Sequence, residues 1–136
     1  MRYLLDTNVI SEIRKGARCN EGVAAWWAAV AETDVFFSVL TIGEIRRGIE
    51  NIHRRDPRSA AILEKWLLRL LRQHRDRILR IDLDIAEEWG RLSVISPPPV
   101  VDGLIAATAK VRGLTLVTRN VADIARTGVT SLNPWR

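Results

Sequence analysis

The chain has 136 residues, 47% hydrophobic and 27% charged, a balance that excludes a mainly disordered polypeptide and is large enough to bury a core without disulfides or structural metal. Its one cysteine, Cys19, excludes an intrachain disulfide and a cysteine-cluster metal site. Lys and Arg number 21 against 16 Asp and Glu, a net charge of +5 carried by 18 Arg and 3 Lys, which favours polyanionic partners such as nucleic acid but is also met in basic proteins that bind none.

In chain order, Tyr3–Leu5 predicts a short strand that ends in Asp6-Thr7-Asn8. A short helix is expected from Val9 to Lys15, stopped by Gly16. Asn20 is placed to cap a helix carrying Val23, Trp26, Trp27 and Val30 on one face. Val35–Val39, β-branched and aromatic, predicts a second strand, and Thr41 opens a helix to about Ile52. Asp56-Pro57 starts a helix to about Gln73. Ile78–Ile81 reads as a strand, and Asp84 with Glu87 as the cap of a helix through Leu92. Three prolines, 97 to 99, lead rigidly into a helix over Asp102–Arg112, ended by Gly113. Leu114–Val117 is a strand, Val121–Arg126 a short helix and Val129–Leu132 a last strand. No repeat, linker or run of about twenty apolar residues interrupts this pattern, so one domain over residues 1–136, with no membrane span or signal peptide, is expected in the cytoplasm.

Strands alternating with helices predict an α/β sandwich with a mostly parallel sheet. In such sheets functional groups collect beyond the carboxyl ends of the strands. Four acids lie there or at the following helix starts: Asp6, Glu44, Asp102 and Asp123. Each also has an ordinary structural use. Thr41-Ile-Gly-Glu44 and Asn120-Val-Ala-Asp123 have capping-box spacing, Asp102 suits a helix start, and Asp6 an Asx-turn. If the four converge, their repulsion, about 4 kcal/mol for a pair 4 Å apart at an effective dielectric near 20, requires protons or cations. Oxygen-only ligands select Mg²⁺ or Mn²⁺ over zinc, and such ions support phosphodiester hydrolysis.

The segments Asp6-Thr7-Asn8, Ser38-Val-Leu-Thr41-Ile-Gly-Glu44, Val101-Asp102-Gly-Leu-Ile-Ala-Ala-Thr-Ala109 and Leu116-Val-Thr-Arg-Asn-Val-Ala-Asp123 resemble, in order, the motifs of the PIN-domain nucleases, and the closing Asn133-Pro134-Trp135 is also similar. The branch resembled is the VapC/FitB-type toxin of type II toxin–antitoxin pairs, over essentially the whole chain. The resemblance implies a three-layer sandwich with a five-stranded sheet and Mg²⁺- or Mn²⁺-dependent endoribonuclease activity leaving 5′-phosphate and 3′-hydroxyl ends. It implies Asp6 and Asp102 as main metal ligands, Glu44 and Asp123 as direct or water-bridged ones, and Asn8, Thr118 and Asn120 as polar support. It also implies a homodimer or toxin–antitoxin hetero-oligomer, with an antitoxin segment in an apolar groove of the helical pair 41–52 and 57–73.

Other readings compete. An aspartyl phosphatase wants a second acid two residues after the first, where Asn8 stands. A phospho-accepting signalling domain wants a lysine after a late strand, and Lys15, Lys65 and Lys110 are not so placed. A non-catalytic RNA- or antitoxin-binding module of the same fold remains open. His53 and His74 lack acid–base partners in sequence and are expected at solvated or phosphate-facing positions. The arginine run 46, 47, 54, 55 and 58 reads as a solvated face or an RNA guide. The five tryptophans read as core or partner packing rather than base-stacking groups, and Ser11 and Cys19 as no nucleophiles.

Overall fold

A computed structural model describes residues 1–92 and 96–136. The strands β1 (Tyr3–Leu5), β2 (Val35–Ser38), β3 (Ile78–Leu79), β4 (Thr115–Val117) and β5 (Ser131–Leu132) form one parallel sheet in the order β3-β2-β1-β4-β5. The helices are α1 (Thr7–Ile13), α2 (Glu21–Ala29), α3 (Val39–His53), α4 (Pro57–His74), α5 (Leu83–Arg91), α6 (Val100–Arg112) and α7 (Val121–Ile124).

Strand alternation divides the core into two layers. Leu5, Val35, Phe37 and Val117 face Val9 and Ile10 of α1 and Leu70 of α4, with Tyr3, Trp26, Trp27, Trp66 and Trp135 packed alongside. Leu4 and Leu116 face the other way, onto Ile105 and Ala109 of α6 and Ile124 of α7. Small residues let α6 sit close: Ala106 and Ala107 are fully buried against Ile85 of α5, and a Cβ on Gly103 would lie 3.2 Å from the Trp89 indole. The expected sandwich is present, with a fully parallel sheet.

Four helices begin two residues before their expected starts. Asp6 caps α1 by accepting from the Thr7 amide, Ser38 caps α3 by accepting from Leu40, and Asp82, not Asp84, caps α5 by accepting from Ile85. The β-branched run through Val39 hid the cap at Ser38: Val39 is already helical. Pro99, with φ fixed at −50°, leads directly into α6, which makes Asp102 a first-turn residue rather than the helix start. The 41–44 capping box is therefore corrected. Thr41 and Glu44 both lie inside α3. Asn120 makes no side-chain cap hydrogen bond to α7 either, so the second box also fails. Asn20, Asp56 and Gly113, the last at φ 66°, act as expected.

Candidate metal centre

The strand order reverses at β1. The chain passes from β1 through β2 to β3 on one side, then returns to β4 and β5 on the other. Such a switch point opens a crevice at the carboxyl edge of the sheet. Asp6 leaves β1 there and Thr118 leaves β4 beside it, with the Asp6 amide donating to the Val117 carbonyl at 2.9 Å.

The Asp6 carboxylate is held from three directions. Oδ1 accepts from the Thr7 amide at 2.8 Å, and Oδ2 accepts from the Thr118 hydroxyl at 2.8 Å and the Asn8 amide at 3.2 Å. Asn8 reaches Thr118 as well, at 3.4 Å, and the Asn120 backbone N–H donates to the Thr118 hydroxyl at 3.0 Å. The three support residues expected from sequence thus gather around Asp6, Asn120 through its backbone. Donors fixed on a carboxylate set its orientation and leave its outward lone pairs for a ligand.

Glu44 lies in the second turn of α3, and its partner is Thr7 of α1. The Thr7 hydroxyl donates to Glu44 Oε1 at 2.5 Å and lies 3.4 Å from the buried Thr41 hydroxyl. The signal was available in the sequence, since Thr7 sits directly between Asp6 and Asn8.

Asp102 is half-buried, and its carboxyl is pushed above the ordinary carboxylate range first by burial, then by the charges of Asp6, Glu44 and Asp123. Those causes put all four predicted acids in one electrostatic neighbourhood. Three of them reach Asp102 through charge, and among the described residues no three His, Cys, Asp or Glu side chains form a ready-made metal cage. Asp123 is exposed at the rim, on α7. An all-oxygen donor set that disfavours the ionisation of Asp102 suits a hard divalent cation.

Several peripheral expectations change. His74 is not solvated. It is buried against the Phe37 ring, 4.6 Å between centroids, and its Nδ1 contacts the Arg77 guanidinium at 2.9 Å. Arg46 forks onto Glu64 of α4 instead of standing free, whereas Arg47, Arg54, Arg55, Arg58 and His53 are exposed. Burial pushes the Cys19 thiol up, which argues against a nucleophile. The seam between α3 and α4 is filled by Ile49, Ala60 and Leu67. A cleft of about 160 Å³ opens along this helical pair where α1 meets it, lined by Thr7, Ser11, Ile45, Ile52 and Trp66 and bordered by Glu44. Among the described residues no helix is long and apolar enough to cross a membrane.

Comparison with known proteins bears on the family and the fold. The PIN domain family matches residues 3–129. Toxin FitB of Neisseria gonorrhoeae is 32% identical over 97% of both chains. VapC ribonuclease Y4jK of Sinorhizobium fredii is 31% identical over 97% of this chain and 96% of its own. The solved structure of FitAcB from Neisseria gonorrhoeae superposes with a TM-score of 0.89 at 32% identity, covering 98% of this chain and 99% of that one.

Proposed function

The chain belongs to the PIN domain family, and on that premise we propose that it is the toxin of a type II toxin–antitoxin pair, a metal-dependent endoribonuclease whose single nuclease domain spans residues 1–136. The observation that carries the site is the raised Asp102 carboxyl, which feels Asp6, Glu44 and Asp123 together at the switch point of the sheet. A phosphatase or signalling reading has no comparable support.

Asp6 and Asp102 are the main ligands for one or more Mg²⁺ or Mn²⁺ ions, with Glu44 and Asp123 completing the oxygen set directly or through water. When bound, the cation supplies water activation and charge stabilisation in phosphodiester hydrolysis. The protein's own contribution is orientation. Thr118, Asn8 and the Thr7 amide lock the Asp6 carboxylate, and the Thr7 hydroxyl fixes Glu44. Asp102 stands in the first turn of α6, where the helix dipole offsets part of the cost of a charge among other acids.

RNA is the substrate and a cognate antitoxin the protein partner. The cleft among α1, α3 and α4, apolar along its wall and ending at Glu44, suits an amphipathic antitoxin segment that brings a basic side chain to the acids. A homodimer, alone or within a toxin–antitoxin assembly, is the proposed quaternary state. The test is incubation of the purified chain with RNA and Mn²⁺ or Mg²⁺, with and without chelator. Metal-restored, chelator-abolished cleavage supports the proposal. An inert chain, or cleavage indifferent to chelator, overturns it.

A further inference from the structure

A bound divalent cation offsets only two of four carboxylate charges, so an RNA strand approaching this crevice gains from a fixed positive group beside it. Arg119 stands one residue from Thr118, on the exposed turn that follows β4. Its backbone N–H donates to Asn8 Oδ1 at 3.3 Å, which ties the turn to the group that supports Asp6.

The Arg119 guanidinium carbon lies 5.4 Å from the centroid of the Trp135 ring. Among the described residues the side chain has no hydrogen-bond or ion-pair partner beyond that ring, unlike Arg46, Arg77 or Arg112, which are engaged by Glu64, His74 and Asp82. Glu12 feels its charge, but that carboxylate already accepts from Lys15 at 2.9 Å and from the Asn20 amide at 2.8 Å.

The platform itself is anchored. Asn20 holds the last residue at both ends, donating to the Arg136 carbonyl at 3.1 Å and accepting from its amide at 3.2 Å. Gly22 admits the tail so closely that a Cβ there would lie 2.2 Å from the Pro134 carbonyl oxygen. Trp135 packs into the core layer below β1. A planar guanidinium fork is thus presented, donors unspent, from an anchored aromatic support, on a turn whose backbone is tied through Asn8 to Asp6.

We propose that Arg119, seated on Trp135, is a substrate clamp that grips a backbone phosphate of the RNA strand as it enters the acid cluster. The proposal rests on the ribonuclease reading above. Arginine suits the task because its fork takes two phosphate oxygens at once, which an ammonium does not. The indole limits the positions of the guanidinium before substrate arrives, lowering the ordering cost of binding.

The test uses the full chain in metal-free buffer and a fluorescein-labelled single-stranded RNA, followed by anisotropy over a salt series. R119Q, R119K, W135L and W135F are compared with the parent, and each is then assayed for Mn²⁺-dependent cleavage. R119Q should bind about tenfold more weakly at low salt and flatten the dependence of log affinity on log salt by about 0.7. Its loss should fall on KM rather than kcat. R119K should keep the salt slope and lose affinity. W135L should weaken binding, and W135F should restore most of it. If Arg119 only pins the tail, R119Q and W135L will shift the unfolding midpoint while slope and KM stay parental, and the clamp is overturned. A parent that neither binds nor cuts RNA overturns the ribonuclease reading along with it. A parent that cuts RNA, beside an R119Q variant with parental KM and slope, removes the clamp alone.

Discussion

The Thr118 hydroxyl donates to Asp6 Oδ2 at 2.8 Å across 112 residues of sequence, joining the ends of two adjacent parallel strands at the point where the strand order reverses. That bond fixes the proton of the hydroxyl and the plane of the carboxylate together. Thr118 is 1% exposed, so the pair cannot be exchanged for water without opening the crevice.

Thr118→Val keeps the shape and removes the donor. Cleavage should fall about 10–100-fold, as for other partners that orient a ligating group, whereas Thr118→Ser should recover most of the activity. Steady-state cleavage of the three proteins at saturating Mn²⁺ decides the matter. A valine variant at the parental rate would leave Thr118 as packing only.

Asp6→Asn and Asp102→Asn should both abolish cleavage, but their metal-free stabilities should differ. Asp6 receives hydrogen bonds from the Thr7 amide, Thr118 and Asn8, and an asparagine NH₂ turned toward those donors loses them. Asp102 carries a raised carboxyl, so between the unfolded value near 3.9 and the higher folded value the folded chain binds more protons. Its ionisation therefore lowers stability as pH rises through that window. Asp102→Asn should raise the urea midpoint at pH 7 and leave it little changed at low pH. A lower midpoint at pH 7 would contradict the crowding of the acids.

Glu44 and Ser38 separate charge from capping. Glutamine at 44 still accepts from the Thr7 hydroxyl but brings no charge. Glu44→Gln should lose cleavage at nearly parental stability. Ser38→Ala, which removes the true cap of α3, should cost about 1 kcal/mol in denaturant unfolding. An active Glu44→Gln enzyme would reduce the metal site to three acids.

His74 sets an acid limit on the fold. Burial, and then the Arg77 charge, hold its imidazole below the ordinary histidine range, with Glu32 opposing. The unfolded chain takes up the proton near pH 6.5 while the folded chain resists it, so the stability present above that pH is lost as pH falls toward the folded value. His74→Gln, which can still accept from Arg77 but does not titrate in this range, should flatten the thermal-stability profile on the acid side. An unchanged profile would assign the acid loss to other groups.

Gly22→Ala should disturb the tail rather than the helix. The added methyl meets the Pro134 carbonyl and the Arg136 amide, both backbone atoms that cannot rotate aside. A loss of about 1–3 kcal/mol is expected from overpacking, with a change in Trp emission as Trp135 shifts. A fully parental variant would show that the tail is free to move.

The order of elements, the parallel sheet and the four acids were legible in the sequence. Local rules reach that far: alternation marks the strands, 3.6-residue periodicity marks the helices, and acids just beyond strand ends need no partner to be noticed. Helix starts were less legible, because Ser38 belongs by residue type to the strand that precedes it and becomes a cap only when its side chain turns to the Leu40 amide. The capping-box spacing at 41–44 was a true pattern with no box, since Thr41 is buried in the helix and Glu44 is held by Thr7 from α1. Contacts such as Thr118 with Asp6, Arg119 with Trp135 and His74 with Phe37 join distant segments. No local spacing encodes them. They exist because parallel strand pairing returns remote segments to one edge of the sheet, where burial and charge then decide which side chain faces which.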